Sequence, residues 1–131
     1  MPSEKGKLPP KTTPKHFELF RKHFNAHIEK LGLFGWRVYF KHEQLHDTYA
    51  NTSYNVNNRI VSVKFATEWC CPLNNKCNYD LNEESIKIIA KHEANHVLLA
   101  KVFELAMNRF VEKRELEEAE EEIVRILDRF L

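Results

Sequence analysis

The chain has 131 residues, 43% of them apolar and 30% charged, and a formal net charge of +1. That length supports one domain with a core of its own, for which neither disulfides nor a metal need be the main stabiliser. Near-neutral charge gives no electrostatic case for nucleic acid or an anionic membrane. No run of about eighteen apolar residues suits a membrane span, and the start Met1-Pro2-Ser3-Glu4-Lys5-Gly6-Lys7 lacks an apolar signal region, so a cytoplasmic protein is expected.

Residues 1–13, with Pro2, Pro9, Pro10, Lys5, Lys7 and Lys11, have the composition of a flexible tail ahead of a single domain over residues 14–131. From Pro14, Phe17, Phe20, Phe24, Ile28 and Leu31 recur at steps of three and four and Gly32 follows, which predicts an amphipathic helix with a glycine end. His16, His23 and His27 ride on it. His23 and His27 stand four apart, but no adjacent acid or third ligand accompanies them, so they read as surface or boundary residues. Trp36, Val38 and Phe40 alternate with Arg37, Tyr39 and Lys41 as in a strand, and residues 49–56 form a weaker second strand. Asn57-Asn58 supplies a turn before a third strand from Arg59 to Phe65, with Val61, Val63 and Phe65 on one face. A three-stranded antiparallel meander is expected. Cys70, Cys71 and Cys77 follow in a loop, an odd set without zinc-ribbon spacing that reads as reduced thiols.

Asn82 suits an N-cap, Glu83 and Glu84 suit the positive end of a helix, and neither Pro nor Gly interrupts residues 83–111. A break near Arg109 to Lys113 precedes a last helix over about residues 115–131. Inside the first of these two helices lies His92-Glu93-Ala94-Asn95-His96. Histidines four apart share a helix face with Cβ atoms about 5–6 Å apart, so both rings can converge on one Zn²⁺. Glu93, turned about 100° from His92, suits a general base acting on a water at that ion.

A tetrahedral site needs a third protein ligand. No histidine follows His96, and the extended motif HExxHxxGxxH would require Gly at Leu99 and His at Val102, so an acid remains. Seven glutamates lie between Glu112 and Glu122. Helical phase places Glu120 on the face of Leu116, Ile123, Ile126, Leu127 and Phe130. Glu121 comes next, although its neighbours Arg125 and Asp128 suit solvent, and Glu117, Glu118 and Glu122 read as exposed.

HExxH on one helix with a glutamate from a later helix resembles the gluzincins. This short chain is similar to minigluzincins and small phage-type metallopeptidases over roughly residues 36–131. Glu120-x-x-Ile123-Val124-x-Ile126-Leu127 looks like their glutamate helix, with apolar residues where the family usually has small ones. The resemblance implies a zincin-like α+β fold and a zinc metallopeptidase in which His92, His96 and Glu120 hold Zn²⁺ and Glu93 is the catalytic base, acting on a peptide or protein substrate. It further implies that the strand from Arg59 to Phe65 is an edge that binds extended peptide. The rival expectation is a non-catalytic zinc-binding scaffold or regulatory protein. Tyr49, Tyr54, Tyr79, His42 and His46 all remain open as the donor that would stabilise an oxyanion.

Overall fold

The computed structural model describes residues 10–46, 48–69, 79–107 and 112–130. Three helices and three strands alternate as α1 (Pro14–Lys30), β1 (Arg37–Glu43), β2 (Ala50–Asn55), β3 (Ile60–Ala66), α2 (Glu83–Met107) and α3 (Lys113–Phe130). The three cysteines and residues 108–111 lie outside the described residues. Among those described, no helix is long and apolar enough to cross a membrane.

The ends of α1 follow from local chemistry. Thr13 caps it by accepting from the His16 N–H, the His16 ring returns the contact to the Thr13 N–H, and Pro14 needs no hydrogen bond at the first position. At the other end Gly32 takes φ +71, which lets the Leu33 N–H reach back to the Ile28 carbonyl at 3.1 Å. His27 is buried on the face of Phe20 and Phe24, correcting the expectation that it sits at the surface or boundary. It stands one turn beyond Phe24, so the stripe that buries the phenylalanines carries the imidazole with them. Residues 10–12, expected as tail, run along 67–69. Thr12 N–H donates to the Thr67 carbonyl and Trp69 N–H to that of Pro10, each at 2.9 Å. Residues 1–9 lie outside the described set.

The sheet is mixed, not the expected antiparallel meander. Its order is β1-β3-β2, with β3 antiparallel to β2 (Thr52 opposite Val63) and parallel to β1 (Val38 beside Val61). The hairpin at Asn57-Asn58 forms, helped by the Asn58 N–H donating to Asn55 Oδ1, but the chain then lays β3 back between the other two strands. Composition explains the placement. Val61, Val63 and Phe65 are fully buried, and the most apolar strand gains most from neighbours on both edges, whereas β1 and β2 each alternate exposed with half-buried residues. β3 is therefore not an edge. The edges are β1 and β2.

Helices α1 and α2 cover one face of the sheet. Their side of the core holds Phe20, Phe24 and Ile28 from α1, and Ile86, Ile89, Ala90, Ala94 and Val97 from α2. Ala90 and Ala94, both fully buried, let α2 approach closely, and each buried phenylalanine contributes about 1.5–3 kcal/mol by leaving water. Helix α3 packs back along α2 and buries Val124 completely. Ile123, expected inside, is 45% exposed, so α3 is rolled by about one residue from its expected facing. The side chains of Ile126 and Phe130 lie outside the described set.

Candidate metal centre

A cleft of about 840 Å³ opens between the free edge of β2 and the helices α2 and α3. His92, Glu93 and His96 line it from α2, residues 50–54 from β2, and Glu117, Glu120 and Glu121 from α3. The helix spacing brings the two imidazoles together as expected, with centroids 5.0 Å apart and rings nearly perpendicular at 78°. Asn82 starts α2 by accepting from the Ser85 N–H at 2.9 Å, which satisfies one of the free N–H groups of its first turn.

The carboxylate that meets both rings belongs to Glu121. Its Oε1 lies 3.4 Å from His92 Nε2 and 3.0 Å from His96 Nε2. Glu120, the expected ligand, points inward but to the far side of His96, where its Oε1 is 3.2 Å from Nδ1. The roll of α3 that exposes Ile123 is the same rotation that turns Glu121 toward the rings. Asp128, two turns beyond Glu121, lies 2.8 Å from His92 Nδ1. Each imidazole thus has an acid against Nδ1, which holds a proton there and makes Nε2, facing Glu121, the nitrogen a metal would take once it is deprotonated.

His92, His96 and Glu121 each present one acceptor atom, all within 4.8 Å of one another, and could hold a metal ion. The donor spacing fits. A tetrahedral ion bound at about 2.0–2.2 Å separates its ligand atoms by about 3.3 Å, against 3.0 and 3.4 Å measured here from Glu121. Charge fits as well, since the carboxylates of Glu93, Glu120, Glu121 and Asp128 all surround these two rings.

Protonation responds to the crowding. Burial opposes charging His92, but the Asp128 hydrogen bond and the nearby acids outweigh it and push the imidazole up to about 9. Burial likewise opposes charge on His96, and Glu120 and Glu93 raise it on balance. Glu93 is raised by burial, despite His96 and a 2.7 Å hydrogen bond donated by Thr52 Oγ1 to its Oε1. Thr52 comes from β2, so the edge strand itself holds the acid that follows His92.

Of the five donors the sequence left open, Tyr54 lines the cleft. Burial and the carboxylates of Glu120 and Glu104 raise its pKa, so the phenol stays a proton donor at neutral pH. Tyr49 instead packs edge-on to Trp69 and Tyr79, and His42 stacks on Phe17 at 5.0 Å. Asp128, Asn95, His27 and Thr52 were not singled out from sequence as site residues. For Asp128 the signal was its seven-residue step from Glu121, which puts both acids on one face of α3.

No protein-family model, no curated protein and no solved structure matches this chain.

Proposed function

We propose that the chain is a zinc-dependent peptidase working in the cleft beneath β2. The observation that carries this reading is the grouping of one ligand atom each from His92, His96 and Glu121 within 4.8 Å, beside the buried carboxylate of Glu93 and along the outer edge of β2. Two imidazoles and one carboxylate are a donor set suited to catalytic zinc. When bound, zinc supplies a Lewis acid that makes a water nucleophilic near neutral pH.

The protein's own groups account for the remaining chemistry. Glu93 accepts the proton of the attacking water and delivers it to the departing amine. Its raised pKa moves it toward working pH, and Thr52 fixes the direction in which its carboxylate points. The Tyr54 phenol donates toward the carbonyl oxygen as charge builds there. The outer edge of β2, paired with no further strand among the described residues, holds an extended substrate backbone whatever its side chains, a role the resemblance gave to the strand from Arg59 to Phe65.

Glu93→Gln tests the reading. The amide keeps the shape of the side chain and removes its basicity, so zinc content should stay at wild-type level while cleavage of a mixed peptide substrate falls by about 10²–10⁴-fold. Wild-type cleavage by this variant would remove Glu93 from the mechanism. A wild-type protein that binds zinc and cleaves nothing would leave a zinc-binding scaffold.

A further inference from the structure

Behind Asp128 a buried line of side chains runs to the first helix. His27 Nε2 lies 2.9 Å from Asn95 Oδ1, and Asn95 Nδ2 donates to Asp128 Oδ1 at 2.8 Å. The other oxygen of Asp128 meets His92 Nδ1, also at 2.8 Å. Asn95 is 0% exposed and His27 4%, so water does not compete for the His27–Asn95 contact, while the contacts of Asp128 are part-buried.

The chemistry of the groups sets the direction of each proton. An amide oxygen only accepts, so His27 is the donor and carries its proton on Nε2. The amide nitrogen only donates, so it faces the carboxylate. Reversing the amide would set its oxygen against the Asp128 carboxylate, a repulsive contact in place of a hydrogen bond, so the carboxylate fixes the amide and the amide oxygen then fixes the His27 tautomer. With Oδ1 of Asp128 held by Asn95, Oδ2 is left for His92, whose Nε2 then faces Glu121.

We infer that His27 and Asn95 are positioning residues for the metal centre, orienting His92 through Asp128 and so linking the packing of α1 to metal affinity. This rests on the metal-binding part of the reading above and is independent of hydrolysis. Partners in the outer shell of a metal site typically change affinity by about 10–100-fold, and His27, two links beyond Asp128, belongs at the lower figure.

The test uses the full chain, Zn²⁺ affinity by chelator competition, the visible spectrum of the Co²⁺ form, and histidine tautomers by ¹H–¹⁵N correlation. His27→Leu should weaken Zn²⁺ by about tenfold and alter the Co²⁺ spectrum, whereas His27→Gln, which keeps an N–H donor, should stay within about threefold of wild type. In an Asp128→Ala background, His27→Leu should cause no additional loss, because its effect passes through Asp128. The unsubstituted protein should show His27 as the Nε2–H tautomer. Unchanged affinity in His27→Leu, losses that add to those of Asp128→Ala, or His27 protonated only on Nδ1 would each overturn the inference, the last without any variant having to fold. A wild-type chain that binds no Zn²⁺ would overturn the metal reading itself and this inference with it.

Discussion

Replacing Glu121 by alanine should cost far more Zn²⁺ affinity than replacing Glu120, although the two residues are adjacent. Glu121 Oε1 faces both Nε2 atoms, at 3.4 and 3.0 Å, so Glu121→Ala removes one of the three acceptors. Breaking a buried charge pair costs about 3–5 kcal/mol. The Glu121 side chain keeps 36% exposure, which places it at the lower end, about 3 kcal/mol or roughly 10²-fold. Glu120 is only 12% exposed but touches His96 from Nδ1, as an outer partner, for which about tenfold is the matching lower figure. Burial and metal affinity thus rank the two acids in opposite orders. Chelator competition at fixed pH reads the difference directly, with thermal unfolding of the metal-free variants as the control for folding. If Glu120→Ala proved the more damaging for Zn²⁺, the facing of α3 derived above would be refuted by one residue; equal and negligible effects would remove this helix from the metal centre.

Zn²⁺ affinity should rise with pH toward about 9, because the His92 imidazole, pushed up to about 9, must lose its proton before it can bind. The metal-free fold shows the opposite sign: this histidine's contribution to stability is fully present below the ordinary value of about 6.5 and is lost as pH rises through about 9. Titration calorimetry at pH 7 in buffers of different ionisation enthalpy should therefore show proton release on Zn²⁺ binding, and none would contradict the protonation assigned to His92. Thr52→Val removes the hydroxyl that donates to Glu93, so the acid limb of the peptidase pH profile should move to higher pH at constant zinc content; an unmoved limb would dissociate the strand from the base. Tyr54→Phe should lower kcat by about 10²–10³-fold with zinc retained, and an unaltered kcat would return the oxyanion donor to an open question.

Sequence periodicity located the strands, the first and last helices and the start of α2 to within about two residues, yet it did not order the sheet. Alternation in Val61, Val63 and Phe65 says that a face is buried, and it carries no information about which strands lie alongside. That was decided by β3 gaining cover on both edges, a tertiary effect. The metal helix was legible because its spacing alone brings His92 and His96 together. The carboxylate was harder: Glu120 and Glu121 differ by 100° of helix rotation and flank the same face, so the roll of α3 against α2 selects between them. Asp128 was misjudged for a related reason, since a charged residue near a helix end suits solvent unless something buried needs its charge. His27 lay in plain view as part of the Phe20–Phe24 stripe. Its side-chain partner among the described residues, Asn95, lies 68 residues further along the chain.

The two edges of the sheet carry different protection. Along β1 the exposed positions include Arg37 and Lys41, charges that repel another strand approaching from solvent. Along β2 the exposed residues are Asn51, Ser53 and Asn55, all neutral, with no proline or lysine among them. Two copies of the chain brought together at high concentration would accordingly meet through β2 and not β1. Such a pairing would cover the cleft, so under the proposed function a second copy and an extended peptide would compete for the same strand edge.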